Sequence, residues 1–225
     1  MVRTRPRPPA PALVTRKSAQ WTARWRKMHA AGSRGDWATQ AAKQALRDPL
    51  HKMTHGKCAY CEGQLDAQSF QQIDHYVSRK VDPDRVFEWR NLLPICQVCN
   101  VRKGHQDHRG ALLKPDDEDP EAYFWVGPEG RIEPHPVLGE PEKLRAAETI
   151  RLCNLNRGTL QRSRRLIAVS VQRWLSRLTQ ESSPVLIEEW VDLSDPAAPY
   201  KLVLRHTLRA YPALVEHDRR RFTAA

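Results

Sequence analysis

The feature that most constrains this chain is a pair of Cys-x-x-Cys knuckles, Cys58/Cys61 and Cys96/Cys99. Each knuckle aims two thiolates at one point, and four thiolates in a tetrahedral array select zinc and leave no open coordination position. Such a site is a structural clip, so any chemistry has to lie in what it holds together. A redox Cys-x-x-Cys would follow a βαβ pattern, and none precedes either pair. Five cysteines in 225 residues do not suit a disulfide framework. The fifth, Cys153 in "IRLCNL", reads as a buried apolar residue at helical spacing.

Between and beside the knuckles stand Asp74-His75, Asn91 in "WRNLLPIC" and Asn100 in "CQVCNVRKGH". An imidazole deprotonates water near neutral pH when a partner fixes its pKa and ring orientation. A carboxylate and a carboxamide oxygen are hard ligands suited to Mg²⁺ (or Mn²⁺), and a cation so held stabilises charge developing on a phosphodiester. Singly, each residue has a bland structural reading. In this order and spacing, they favour hydrolysis of a phosphodiester bond.

Charge is distributed unevenly. Residues 1–57 carry 13 Lys/Arg against 2 Asp/Glu, and residues 151–180 carry 7 against none. Residues 58–110 balance at 7 against 7, and 111–150 are acidic at 4 against 10. Two basic blocks around a neutral cysteine region form a footprint for nucleic acid, although solvated helix faces share that pattern. The stretch "MVRTRPRPPAPA" has no apolar signal core, and no run approaches the roughly 18 apolar residues of a membrane span. A soluble, cytoplasmic protein without a membrane partner is expected.

The chain divides by composition. Residues 1–12, with prolines among arginines, read as a disordered basic arm. Within 13–55, Trp21, Trp25 and Met28 predict a helix ending near Gly32, and a second helix is expected from Asp36 as N-cap. Residues 56–110 hold the cysteine core, with a strand over "IDHYV". Residues 111–140 comprise the acidic loop "KPDDEDPEA" and a hairpin in "YFWVGPEGRIEP" turning at Gly127 to Gly130. Helical patterning fills 141–225, with a strand over Lys201 to Arg205 as an alternative.

The run Cys-x-x-Cys, Ile-Asp-His, Trp-x-Asn-Leu-Leu, Cys-x-x-Cys-Asn-x-x-Lys-Gly resembles the HNH nucleases. The resemblance implies an α+β fold, a mainly helical chain around a small ββα-metal core clipped by the zinc site. In that family the first strand ends in the Asp-His pair, the second carries the middle Asn, and a helix after the second knuckle supplies the last metal ligand. Carried over residue by residue, it implies His75 as general base, Asp74 and Asn100 as ligands of Mg²⁺, Asn91 orienting His75, and Lys103 facing a phosphate beside Arg102. HNH motifs often end in His, so His105 is the alternative last ligand. Asn100 fits better by its place directly after the knuckle, and His108 is expected at the surface.

Farther on, "LLKPDDEDPEAYFWVGPEGRIEP" and "AAETIRLCNLNRGTLQRSRR" are similar to a narrower HNH group, the nuclease subunits of Septu-type and retron-associated anti-phage systems. That similarity implies an SMC/ABC-like ATPase as partner. The substrate expected is nucleic acid, DNA before RNA, with Arg162, Arg164, Arg165 and the N-terminal arm tracking its backbone. Rivals stay open, a restriction-type nuclease recognising modified DNA among them, although no separate reader domain is seen. A non-catalytic zinc module binding nucleic acid or scaffolding an ATPase would share the cysteines and the charge. An RNase acting on tRNA would share the core, which grips backbone and reads little else.

Overall fold

The computed structural model describes residues 7–33, 35–65, 71–178 and 184–224, and local signals in the sequence account for most of its elements. Helix α1 spans Ala12–Ala30, buries Val14 and Trp25, and stops where Gly32 takes φ +63°. Helix α2 spans Gln40–Met53, and its apolar stripe of Ala42, Leu46, Leu50 and Met53 faces the core. Its N-cap is Thr39, whose hydroxyl accepts from the Ala42 amide at 3.2 Å, and not Asp36 as the sequence suggested. Asp36 lies too far upstream to reach that amide and pairs with Lys43 at 2.7 Å.

Residues 1–6 of the expected disordered arm lie outside the described residues. From Arg7 onward the chain is docked. The Arg7 guanidinium donates to Asp116 at 2.5 Å, to the Leu92 carbonyl at 2.6 Å and to the Trp89 carbonyl, while Trp89 Nε1 donates to the Pro8 carbonyl at 2.9 Å. A buried carboxylate at Asp116 needs a cation, and Arg7 is one of those that supply it.

Strands β1, Gln71–His75, and β2, Leu92–Cys96, pair antiparallel with Asp74 opposite Leu93 and His75 opposite Leu92. Helix α3, Gln97–Lys103, follows at once, because Cys96 Sγ accepts from the Cys99 amide at 3.4 Å and so caps the helix. The other edge of β2 is covered by the first knuckle, whose Ala59 amide donates to the Pro94 carbonyl at 2.9 Å. This ββα unit is the small sheet-and-helix core that the sequence led us to expect.

A short helix α4, Pro120–Tyr123, leads into the hairpin of β3, Phe124–Val126, and β4, Ile132–Pro134. Helices α5, Glu140–Leu152, and α6, Gly158–Leu178, follow. The hairpin tip rests on α6 at Gly130, where φ is +78° and a Cβ would stand 2.3 Å from the Gln161 carbonyl, so no side chain fits. From the turn between the helices, the Asn156 carboxamide bonds both the amide and the carbonyl of Ile132, at 2.8 and 2.7 Å, and finishes the edge of β4.

Helices α7, Pro184–Ser194, α8, Lys201–Thr207, and α9, Pro212–Ala224, close the fold. Residues 201–205 are helical, which removes the strand alternative. All five are buried, with Lys201 and Arg205 both paired to the buried Asp218. The acidic stretch is similarly neutralised: Lys114 holds Asp116 and Asp117, Arg145 holds Glu118, and Arg205 and Arg219 hold Glu121. Lys57 ties the first knuckle to the loop before α8 through the Pro196 and Ala198 carbonyls, and burial brings its pKa down to about 7. Glu62 of the same knuckle accepts from the Leu202 amide. One hydrophobic core runs from Val14 to Val203, and a second gathers Val171, Trp174, Leu204, Leu208 and Val215. No helix among the described residues is long and apolar enough to cross a membrane.

Candidate functional site

The four knuckle cysteines are buried, and their sulfur atoms all lie within 4.8 Å of one another. Tetrahedral zinc with bonds of about 2.3 Å places its sulfurs roughly 3.8 Å apart. The Cys61–Cys96 separation of 3.9 Å matches that, so the donor set fits zinc by chemistry and by size. Four thiolates on Zn²⁺ leave two negative charges. Arg157 answers them, donating to Cys99 Sγ at 3.6 Å and Cys96 Sγ at 4.0 Å. Burial opposes the Arg157 charge, yet Cys99 and Cys61 hold its pKa above the ordinary value. Cys153 stays out of the cluster, and burial pushes its thiol pKa up.

Strand alternation sends Asp74 and His75 to opposite faces of β1. Asp74 faces α3, where Lys103 Nζ donates to its Oδ1 at 3.0 Å and to the His75 carbonyl at 2.7 Å. Lys103 is therefore a buried partner of the Asp-His strand and does not face a phosphate. Its carbonyl in turn contacts His108 Nε2 at 2.8 Å, so His108 is buried as well and not at the surface. Asp74 Oδ2 is buried with no hydrogen-bond partner among the described residues. An orphaned carboxylate oxygen in a buried site suits a cation.

His75 is 3 % exposed and held on several sides. Its Nε2 lies 3.0 Å from the Val86 carbonyl. A carbonyl only accepts, so Nε2 carries the proton and Nδ1 keeps the lone pair. The Trp37 ring meets the imidazole edge-on at 4.6 Å and 84°. Arg79 Nη1 stands 3.5 Å from Nδ1. Burial first, and then Arg79, push the His75 pKa down to about 3, so the ring is neutral at ordinary pH. Neither Trp37 nor the Val86 carbonyl carries a sequence signal pointing to the site.

Among the described residues no hydrogen bond joins the Asn91 side chain to His75. Asn91 lies in a 3₁₀ turn, Trp89–Asn91, just before β2, so the second strand does not itself carry it. Its Oδ1 accepts from the Val77 amide at 2.8 Å, and Nδ2 donates to the Val77 and Arg85 carbonyls at 3.0 Å each. Asn91 thus braces the loop that presents the Val86 carbonyl, and orients His75 only at one remove. Asn91→Ala leaves a buried amide and two carbonyls without their partner. A loss of about 1–3 kcal/mol in stability is expected, together with slower turnover and unchanged zinc content. Thermal unfolding, metal analysis and a cleavage assay on one preparation check this, and an unaltered cleavage rate would remove the bracing role.

Asn100, on α3, donates to Gln72 Oε1 at 2.5 Å, two residues before Asp74 on the same face of β1. His105 is exposed beyond Gly104, and desolvation with Lys80, Arg79 and Lys103 lowers its pKa. Among the basic residues expected at nucleic acid, Arg102, Arg162 and Arg165 are exposed. Arg164 is not available. It is 1 % exposed, and its Nη1 donates to the Leu155 and Gly130 carbonyls at 2.6 and 3.4 Å, fastening the hairpin to α6.

Residues 58–106 match the family model of HNH endonucleases. Over these residues the chain is similar to the HNH endonucleases. The matched span runs from the first knuckle past α3, so it holds both cysteine pairs, Asp74, His75, Asn91 and Asn100. Among curated proteins, the chain is similar to the Septu protein PtuB of Bacillus thuringiensis, 35 % identical over 80 residues, which are 35 % of this chain and 31 % of that protein. A second Septu protein PtuB, from Bacillus mycoides (strain KBAB4), is 30 % identical over 70 residues, 25 % of this chain and 24 % of the relative. A retron Vc95 protein of Vibrio cholerae serotype O1 biovar El Tor, assigned in its name to the HNH endonucleases, is 26 % identical over 135 residues, 56 % of this chain and 64 % of its own length. The chain thus spans about a third or less of the Septu relatives it matches. Outside the matched span lie α2 and Trp37, although Trp37 forms one wall around His75.

Proposed function

We propose that the chain is a metal-dependent HNH endonuclease that hydrolyses phosphodiester bonds of nucleic acid, DNA in the first place, as the effector of a bacterial anti-phage system working beside an SMC/ABC-like ATPase. The observation that carries the reading is the fixed tautomer of His75, whose Nε2 is committed to the Val86 carbonyl while Nδ1 keeps a lone pair. An oriented imidazole whose Nδ1 keeps its lone pair has the geometry of a general base. His75 Nδ1 takes the proton from the attacking water; the hydroxide adds to phosphorus in line, and the 3′ oxygen departs.

Asp74, through Oδ2, and Asn100 would hold Mg²⁺ or Mn²⁺, with His105 as the alternative to Asn100. When bound, the ion stabilises charge on the phosphoryl oxygens and on the leaving oxygen. Lys103 pairs with the Asp74 carboxylate and keeps it turned toward α3. The four-cysteine zinc clip holds β2, α3 and the first knuckle in register and takes no part in the chemistry. Similarity to the Septu and retron proteins supports the defence role and the ATPase partner.

The test is cleavage of supercoiled plasmid DNA and of total RNA by the purified chain with Mg²⁺ or Mn²⁺, alone and with the ATPase encoded beside it. Nicking or cutting of DNA that a chelator abolishes is expected. Cleavage of RNA alone would transfer the reading to an RNase. Binding of nucleic acid without cleavage under any of these conditions would establish the non-catalytic zinc module instead.

A further inference from the structure

A cleft of about 240 Å³ opens between α2 and β1. Lys43 and Arg47 of α2 line it together with Trp37, Arg79, Gln72 and Asn100. No Asp or Glu lines it among the described residues. The nearest acid paired to a lining cation is Asp36, on Lys43, and it is largely exposed. Arg79 lies near the faces of Trp25 and Trp37, 5.8 and 5.9 Å from their centroids, with one guanidinium nitrogen 3.5 Å from His75 Nδ1.

A cleft lined by three cations and by amide groups, one of the cations standing 3.5 Å from His75 Nδ1, suits a chain of phosphates. We infer that this cleft carries one strand of the substrate backbone, with Lys43 and Arg47 on flanking phosphates and Arg79 on the phosphate beside His75 Nδ1. The inference rests on the nuclease reading and adds a role for α2, which lies outside the matched span. Arg79 also stands where the attacking water has to be. Its guanidinium has to turn from Nδ1 to a phosphate oxygen when the strand enters, so the bound strand itself uncovers the base.

The experiment is fluorescence anisotropy of a labelled DNA duplex and a labelled single strand with the full chain, in Ca²⁺ to prevent turnover, across a salt series. Lys43→Ala/Arg47→Ala should weaken binding about tenfold and reduce the slope of log K against log salt by about 1.4–1.8, the value for two lost phosphate contacts. Lys43→Arg/Arg47→Lys keeps both charges and should retain wild-type affinity and slope. Asp36→Asn, which releases Lys43, should tighten binding about two- to threefold. That gain cannot arise from misfolding. Unchanged affinity and slope in the double alanine variant, while wild type binds and cleaves, would overturn the cleft and leave the nuclease reading standing. Loss of cleavage and binding in wild type itself would overturn both.

Discussion

In His75→Ala, cleavage falls about 10²–10⁴-fold, the usual contribution of a positioned general base, while zinc content and helical structure are retained. The expectation follows from how the ring is held. The protonated Nε2 is engaged at the Val86 carbonyl and the ring edge is packed on Trp37, so Nδ1 is the nitrogen left to accept a proton. Truncation opens a cavity beside Trp37 and costs some stability, which by itself could slow turnover. His75→Gln separates the two effects. Its carboxamide can still donate to Val86 and fill most of the space, but has no basic nitrogen. Equal loss in both variants identifies proton abstraction; full activity in His75→Gln would remove His75 from the reaction.

Cys96→Ser abolishes zinc binding and the native fold together. Cys96 has three roles at once: its sulfur belongs to the metal cluster, caps α3 through the Cys99 amide and meets the Arg157 guanidinium. A structural zinc site supplies about 10–16 kcal/mol in small zinc domains, and a whole domain is typically stable by only about 5–15 kcal/mol. Loss of the metal therefore outweighs most of the margin. Metal analysis should drop from one zinc per chain to none, with a broadened or absent thermal transition. Unchanged zinc content and unfolding temperature in Cys96→Ser would show that the four sulfurs do not form a metal site.

Much of this arrangement is readable from residue order because it depends on short-range geometry. Cysteine spacing, the Asp-His strand and the hairpin between Gly127 and Gly130 each need only a few neighbouring residues to define them. The basic residues are harder, since their direction depends on acids and carbonyls far along the chain. Lys103 turns inward because Asp74, 29 residues earlier, presents a buried carboxylate. Arg164 turns inward to carbonyls of the preceding turn and the hairpin. Both nevertheless left a trace: Lys103 stands four residues after Cys99, and Arg164 falls between Leu160 and Ala168 on the buried stripe of α6. A cation on an apolar stripe signals a buried acceptor. Asn91 left no such trace, because its partners at Val77 and Arg85 are backbone groups of an irregular loop.

The fastening of the first knuckle bears on biosynthesis. Lys57 and Glu62 are satisfied by the carbonyls of Pro196 and Ala198 and the amide of Leu202, all about 140 residues downstream. While the ribosome is still translating the middle of the chain, these downstream partners of Lys57 and Glu62 have not yet been made. Contacts of such long sequence separation form late and cooperatively. The first knuckle therefore completes its packing only after residue 202 has emerged, so the ββα unit it covers is finished late in synthesis.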